Sequence, residues 1–373
     1  MSYQIIQSSM QLDEVCRHLS SHSRPLMLDT EFVRTRTYYA KLGLLQVFDD
    51  EHCFLIDPIE LDLDKTDFWQ ILSRHDWVLH AFGEDLEILK LHVEQFGTSV
   101  FDTQIGAAVL GWGPSLGYQA IIEQTTGILL DKGESRTDWV ARPLTTSQLK
   151  YAANDVIYLQ QAYFQIIEQL QARGLYEIAL EECQRLAHQR CAPIDADNAY
   201  RDIKNAWRLS RQQLAVLKLL AKWRIETAIA RDMPVNNVVK TDVLWAIAKF
   251  QPTTKTALKA TGISPQALRI HEETLIAIVE QAQMLDEAQW PAKLKRMIDY
   301  PNYRSSLDQF REAMAIAETE TTIPADILAP KRLIHELFKW HWQLDEHQRK
   351  NVEKPTLISG WREKVLKDYL PAL

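Results

Sequence analysis

The hydrophobic pattern of the 373-residue chain changes near residue 200, and this change restricts the fold more than any other feature. Before that point, short apolar runs of strand length alternate with segments of helical spacing. After it, apolar residues follow helical spacing almost throughout, and proline-containing breaks separate the segments. The chain is also longer than one ordinary core, which stops growing at roughly 250–300 residues. We therefore expect an α/β N-terminal domain, a mixed sheet covered by helices, followed by all-α helical domains.

The predicted elements follow from this pattern. Strands are expected at residues 25–33, 42–48, 53–56 and 77–82, the first three forming a β-meander, and helices at residues 84–92, 101–110, 116–126 and 145–172. Residues 188–197 are predicted to be a linker. Beyond it, helices are expected at residues 210–231, 241–249, 265–283, 303–318 and 331–342.

Composition excludes several classes of protein. The four cysteines are widely spaced and form no zinc-ligand pattern, and the sequence shows no export leader and no apolar stretch of spanning length. We therefore expect a cytoplasmic protein with free thiols and no membrane partner. The net charge of −8 argues against a uniformly basic, nucleic-acid-coating surface, although it permits a local basic groove. Without a coiled coil or an exposed apolar stripe, a monomer is expected.

Two carboxylates lie on the first predicted strand of the meander. Asp29 and Glu31 are two residues apart, and because side chains alternate across a strand they project to the same face. Carboxylates so placed repel each other unless a cation lies between them, and a hard divalent ion such as Mg²⁺ or Mn²⁺ prefers oxygen ligands. Alone, a D-x-E pattern is weak evidence, since it occurs by chance in many chains.

Two further segments that contain acids have ordinary structural explanations when each is considered alone. Glu84 and Asp85 begin a predicted helix, where acids complement the positive end of the helix dipole. Tyr151 and Asp155 are four residues apart on a long predicted helix, so a phenol and a carboxylate share one face. An amphipathic helix with Tyr151 half-buried would also produce this pattern.

The order of these acids along the chain resembles that of the DEDDy 3′→5′ exonucleases, and in particular the ribonuclease D family. The resemblance extends to FDTQ at 101–104, KGESRTDW at 132–139 and RPL at 142–144. Segments of the helical half, LAVLK at 214–218 and ARDMP at 230–234 among them, look like the helicase and RNase D C-terminal (HRDC) domain. The implied domains are a DEDDy exonuclease at 1–190, an HRDC-type domain at 207–288 and a divergent second HRDC-like domain at 295–373.

The resemblance implies an RNase H-like N-terminal fold and a 3′→5′ exoribonuclease that acts by two-metal hydrolysis. Its catalytic residues would be Asp29, Glu31, Asp85, Tyr151 and Asp155. The four acids would bind two ions, Mg²⁺ or Mn²⁺, Tyr151 would orient the attacking water, and nucleoside 5′-monophosphates would be released. The implied partner is RNA, in particular tRNA precursors with 3′ extensions.

Basic residues near these segments are candidates for contacts with nucleic acid. Arg34 and Arg36 follow the D-x-E strand, where they could contact substrate phosphates or be solvated loop residues. Basic and aromatic side chains on one predicted helix could bind phosphates and stack a base, and these are Lys218, Lys222, Trp223 and Arg224. The alternative is that Trp223 belongs to the core and the charges form a solvated face.

Two other functions remain open at this stage. A single-strand DNA exonuclease of the proofreading type would use the same five residues. Discrimination of RNA from DNA depends on recognition of the ribose 2′-OH, and no motif in the sequence shows such recognition. A catalytically inactive RNA-binding protein would be expected to lack one of the metal ligands, whereas all four acids and the tyrosine are present.

Overall fold

The computed structural model describes residues 2–130, 133–134 and 137–373, so that Lys132, Ser135 and Arg136 of the family-like 132–139 region lie outside the described residues. The described chain divides into two compact units. The first contains residues up to Val33, residues 41–192 and residues 301–373, and the second contains residues 34–40 and 193–300. No helix in the described ranges is both long and apolar enough to cross a bilayer.

A six-stranded mixed sheet forms the centre of the first unit. In chain order its elements are β1 (Tyr3–Ile6), α1 (Ser9–Ser21), β2 (Leu26–Val33), β3 (Lys41–Phe48), β4 (Cys53–Ile56), α2 (Phe68–Leu72), β5 (Trp77–Leu79), α3 (Gly83–Leu89), β6 (Val100–Asp102), α4 (Thr103–Val109), α5 (Tyr118–Thr126), α6 (Thr146–Ala172) and α7 (Tyr176–Cys191). The strand order is β1-β4-β3-β2-β5-β6. Strands β2, β3 and β4 pair antiparallel, which confirms the predicted meander.

Helices make up the regular structure of the rest of the described chain. The second unit contains α8 (Arg211–Ala230), α9 (Val235–Val238), α10 (Thr241–Phe250), α11 (Lys255–Lys259) and α12 (Pro265–Gln283). The C-terminal part of the first unit contains α13 (Tyr303–Thr321), α14 (Ala325–Leu328), α15 (Lys331–Gln343), α16 (Glu346–Lys350) and α17 (Gly360–Leu366). An α/β domain followed by helical domains is therefore confirmed as the fold class.

Local sequence signals explain where the longest helices begin. Helix α6 starts after Thr145, whose hydroxyl accepts the backbone N–H of Gln148, while the side-chain oxygen of Gln148 accepts the backbone N–H of Thr145. The same reciprocal capping box precedes α8, where Ser210 pairs with Gln213. Because these caps satisfy backbone donors that lack helical partners, they fix the first turn of each helix.

Some elements differ from the prediction. Residues 101–110 were expected to be one helix, but Val100–Asp102 pairs with β5 as β6, and the helix begins afterwards because the Asp102 carboxylate accepts the backbone N–H of Gln104. The strand expected at 77–82 ends at Leu79, since Ala81 adopts a positive φ of 56°. In the first 192 residues, strand β1 and helices α1, α2 and α7 were not predicted, and α7 extends to Cys191, into the predicted linker.

The C-terminal helices dock on α7 through a buried ion pair. Arg362 is 1% exposed and donates to Glu182, with Nη1 2.6 Å from Oε2, and to the carbonyl oxygen of Leu328, with Nε 2.9 Å away. Trp361 adds a bond from its backbone N–H to Oε1 of Glu181 at 2.7 Å. Two charges withdrawn from water are stable only when both are fully paired, so this contact depends on each partner.

We expect Arg362→Ala to destabilise the first unit by about 3 kcal/mol, because it leaves the Glu182 carboxylate buried with fewer donors. The measurement is the free energy of unfolding from urea denaturation at pH 7. Arg311→Ala is the control, since Arg311 and Asp308 form an exposed pair of α13 whose loss should change stability by less than about 1 kcal/mol. Equal effects of the two substitutions would show that the buried pair is not a main contact.

The same ion pair predicts a dependence on acid. Burial by itself would raise the pKa of Glu182, but hydrogen bonds from Arg185 and Arg362 outweigh it and lower the pKa to about 2. A carboxylate whose pKa is lower in the folded state stabilises the fold above its unfolded-state pKa, and this contribution disappears as the pH falls toward 2. The difference in stability between wild type and Arg362→Ala should therefore shrink in urea titrations carried out at progressively lower pH below about 4.

Candidate active site

The D-x-E strand places two carboxylates beside a third from α6. Asp29, Glu31 and Asp155 each offer a carboxylate oxygen, and these oxygens all lie within 4.8 Å of one another. They line a cavity of about 590 Å³ within the first unit, together with Asp85 and Tyr151. The structure therefore brings together the five residues that the sequence analysis selected as catalytic.

Asp85 reaches the site because β2 and β5 separate. The parallel pairing of β2 with β5 is limited to Leu26 and Met27 of β2. Beyond Met27, the edge of β2 on this side is not paired with β5. Thr30 lies on that edge, and its hydroxyl donates to the Asp85 carboxylate at the start of α3. Asp85 therefore has two roles: it is an acid in the first turn of a helix, and it is a buried member of the site.

Asp102 fixes the turn that carries Asp85. Its carboxylate accepts the backbone N–H groups of Ala81 at 2.9 Å and Phe82 at 3.0 Å, immediately before α3. It also caps α4 through Gln104. Sequence reasoning missed this role, as it missed the role of Thr30, although an aspartate that precedes a helix is a recognisable N-cap signal.

Crowding of buried carboxylates raises their pKa values. Burial is the largest cause for each of the four acids, and the charges of the other acids add to it at Asp29 and Glu31. The pKa of Asp29 rises well above its usual range, that of Glu31 to about 9, that of Asp155 to about 8 and that of Asp85 to about 6. At neutral pH the site therefore favours bound cations, either protons or metal ions.

Tyr151 contacts the acid cluster directly. It forms a hydrogen bond with the Asp155 side chain, and burial together with the nearby acids raises the pKa of the phenol. On its other side, the buried ring of Trp139 lies 6.2 Å from the Tyr151 ring, measured between centroids. The phenol is held as a neutral donor by these surroundings.

Trp139 is positioned by close backbone packing. Arg142 donates from Nη1 to the Trp139 carbonyl oxygen at 2.9 Å and from Nε to the Asp57 carboxylate at 2.7 Å. Gly43 leaves room for this loop, since a Cβ at that position would lie 2.5 Å from the same carbonyl oxygen. The sequence analysis assigned no role to Trp139, and its contact with the Tyr151 ring supplies one.

Two histidines that follow β5 in the sequence, His80 and His92, have structural partners. His80 lines the cavity, but its ring is 3.0 Å from the Thr103 hydroxyl, and burial lowers its pKa to about 4. His92 stacks on Trp69 and pairs with Asp64. Neither is suited to act as a general acid at neutral pH, because His80 is neutral there and His92 pairs with other residues.

The residues predicted to contact nucleic acid lie in the second unit and differ in their exposure. Arg34 and Arg36 are exposed. Lys222 pairs with Asp197, with Nζ 3.0 Å from Oδ1. Lys218 is half-buried.

Arg224 corrects the prediction for α8. It is 8% exposed, and its Nη1 donates to the Val239 carbonyl oxygen at 3.2 Å and to the Thr241 hydroxyl at 3.0 Å. Its position on the helix turns the side chain into the helical core, where it cannot meet a phosphate. Trp223 also packs against this core, with its ring 5.1 Å from that of His271, so it is not a free stacking surface.

Comparison with known proteins identifies the class to which this fold and site belong. The sequence model described as 3′-5′ exonuclease matches residues 3–171, which include all five selected residues. The models described as HRDC domain and as ribonuclease D C-terminal HRDC domain match residues 213–279 and 301–370. The chain is thus a 3′→5′ exonuclease with two matched HRDC regions, and an exonuclease of this type implies use of a divalent metal.

Relatives define the family within that class. Ribonuclease D of Psychromonas ingrahamii is 40% identical over 366 residues, which cover 98% of each chain. Ribonuclease D of Escherichia coli K12 is 39% identical over 372 residues, covering 99% of this chain and 98% of that one. The crystal structure of E. coli RNase D, described as an exoribonuclease involved in structured RNA processing, superimposes with a TM-score of 0.92 at 39% identity and covers 99% of this chain and 98% of that chain.

The chain therefore belongs to the ribonuclease D family, and the resemblance that its sequence indicated is confirmed. It is a 3′→5′ exoribonuclease, and RNA is its partner.

Repulsion within the acid cluster predicts that Asp29→Asn stabilises the metal-free protein. A carboxyl group whose pKa is higher in the folded state stabilises the fold below its unfolded-state pKa of about 4, and this contribution is lost as the pH rises through the folded values near 8 and 9. In EDTA the melting temperature of the wild-type protein should decrease as the pH is raised from 5 to 9. The melting temperature of the variant should decrease less over the same range.

At pH 8 we expect Asp29→Asn to be more stable by roughly 1–3 kcal/mol, since one pKa unit corresponds to about 1.4 kcal/mol. Differential scanning calorimetry gives the difference. Glu14→Gln, which removes an exposed acid of α1, is the control and should show no such gain. A variant that is less stable than wild type at pH 8 would mean that the acids do not repel one another.

Proposed function

We propose that this chain removes nucleoside 5′-monophosphates from the 3′ ends of RNA by two-metal hydrolysis, and that 3′-extended tRNA precursors are its substrates. The observation that carries the proposal is the close approach of Asp29, Glu31 and Asp155 beside Tyr151. The similarity to E. coli RNase D, which is described as acting in structured RNA processing, supports the substrate class.

The chemistry of the donor set fits divalent metal ions. Carboxylate and phenol oxygens line the cavity, and no lysine or arginine of the described ranges lines it to neutralise the carboxylates. Asp29, Glu31, Asp85 and Asp155 would bind two ions, for which Mg²⁺ or Mn²⁺ suits oxygen ligands best. When bound, such ions activate water at neutral pH and offset negative charge on the phosphate and leaving group.

The remaining chemistry belongs to residues of this chain. Tyr151, with a raised pKa, stays protonated and donates a hydrogen bond, so it orients water or phosphate and does not remove a proton. Thr30 and Asp102 position Asp85 through the bonds described above. Trp139 supports the Tyr151 ring from the buried side.

The helical half supplies contacts to RNA in this proposal. The domain boundaries that we propose are 1–190 for the exonuclease, 207–288 for the first HRDC domain and 295–373 for the second. Arg34, Arg36, Lys218 and Lys222 stay candidate phosphate contacts, because none of their side chains is buried. The protein acts as a monomer in the cytoplasm, and its four free cysteines suit a reducing compartment.

A degradation time course tests this function. The wild-type protein should release 5′-monophosphates from the 3′ end of a tRNA precursor with Mg²⁺ and should stop in EDTA. Asp155→Ala should lower the rate by at least about 10³-fold, because it removes a metal ligand and the partner of Tyr151. Matched single-stranded DNA is digested in parallel.

The outcomes of this time course separate three functions. Preferential shortening of RNA supports the proposal, and faster shortening of the DNA would favour a DNA exonuclease. RNA that is bound but never shortened with Mg²⁺ or Mn²⁺ would indicate an RNA-binding protein without activity.

Tyr151→Phe tests whether the phenol orients the reacting groups. We expect kcat to fall about 10- to 100-fold with little change in Mg²⁺ affinity, because the substitution removes one hydrogen bond and no carboxylate. Tyr158→Phe, on the same helix but outside the cavity lining, is the control and should retain the wild-type rate. A Tyr151→Phe enzyme with wild-type kcat would remove the tyrosine from the mechanism.

A further inference from the structure

A second cluster of metal-ligating side chains lies at another edge of the sheet. Four of the eleven histidines, His18, His22, His52 and His75, surround the end of α1 and the turn between β3 and β4. The exoribonuclease reaction proposed above uses none of them. Three of them, His18, His22 and His52, lie close to Asp49, the residue after β3, which is 1% exposed.

Three atoms of this cluster have the mutual separation of metal ligands. One ring nitrogen each of His18 and His22 and one carboxylate oxygen of Asp49 lie within 4.8 Å of one another. His18 lies in the last turn of α1 and His22 is the residue that caps this helix, and their rings stack with centroids 6.2 Å apart. Two histidines with one carboxylate are a common ligand set for Zn²⁺.

The hydrogen bonds of Asp49 leave one oxygen directed at the rings. Its Oδ1 accepts the backbone N–H groups of His52 at 2.7 Å and Glu51 at 3.0 Å. Its Oδ2 contacts His18 and lies 3.7 Å from Nδ1 of His52. The partner of this buried carboxylate is therefore His18, and no lysine or arginine in the described part of the chain joins the pair.

Two ring nitrogens of the cluster are buried without a hydrogen-bond partner among the described residues. They are Nε2 of His22 and Nδ1 of His52. A buried imidazole nitrogen that makes no hydrogen bond is unfavourable, and coordination to a metal removes this cost. Imidazole also selects transition metals over Mg²⁺, which prefers oxygen.

We propose that His18, His22 and Asp49 form a binding site for a transition-metal dication of the Zn²⁺ type, with His52 as a fourth ligand. The site is separate from the acid cluster. Phe48 pairs with Met27 near the start of β2, so Asp49 lies beyond that end of the strand, whereas Asp29 and Glu31 lie toward the other end. A metal there joins α1 to the β3–β4 turn and stabilises the fold.

Zn²⁺ titration of the full chain tests the proposal. The background is Asp29→Asn/Asp155→Asn, which removes two carboxylates of the acid cluster and so prevents Zn²⁺ from binding there. Isothermal titration calorimetry should show one equivalent of Zn²⁺, and Mg²⁺ should give no saturable binding. Zn²⁺ should also raise the melting temperature of this protein.

Substitution of single ligands identifies the site. His22→Gln should weaken Zn²⁺ binding by about tenfold or more and abolish the thermal shift, and its fold is expected to survive because the buried nitrogen makes no hydrogen bond. His18→Gln is the second variant, and His188→Gln, which alters an exposed histidine of α7, is the control.

Spectra with Co²⁺ supply a readout of coordination. Visible absorption bands of Co²⁺ bound to the background protein should change in His22→Gln and stay unchanged in His188→Gln. The proposal is overturned if the background protein binds no stoichiometric Zn²⁺, or if His18→Gln and His22→Gln both bind it as tightly as the background does.

Discussion

Repulsion among buried carboxylates is the constraint on which the rest of this structure depends. Asp29, Glu31, Asp85 and Asp155 share one cavity, and burial together with their mutual charge raises their pKa values. A protein optimised for stability alone would not keep such a group, because each charge destabilises its neighbours. Bound cations offset this repulsion, so the binding of metal also stabilises the fold.

Secondary-structure elements, rather than flexible loops, hold these acids against their repulsion. Two acids are on β2, the first strand of the meander, and Asp155 is on α6, a helix of 27 residues that packs on the sheet. Asp85 lies in the first turn of α3. Asp102 holds the turn before this helix by accepting the backbone N–H groups of Ala81 and Phe82. Rigid elements fix the distances between like charges, so the site is preorganised before metal or RNA arrives.

The sequence predicts those parts of the site that follow from local periodicity. Alternation on a strand places Asp29 with Glu31, and four-residue helical spacing places Tyr151 with Asp155. The bond between Thr30 and Asp85 depends on where β2 and β5 separate, which no local pattern specifies. Neighbouring positions on α8 differ in whether they face the surface or the core. Arg224 is at a buried position, where it donates to the Val239 carbonyl oxygen. Three-residue β6 was missed because its apolar residues also fit a helix.

Helix α7 links the C-terminal helices to the support of the active site. Glu182 binds Arg362 of α17, and the next residue, Cys183, is buried against the backbone of β6, where its sulfur accepts the N–H of Asp102 at 3.3 Å. Asp102 in turn binds the N–H groups that precede α3 and Asp85. Adjacent residues of one helix therefore contact both regions. The C-terminal helices are therefore connected, through Glu182, Cys183 and Asp102, to the turn that precedes Asp85.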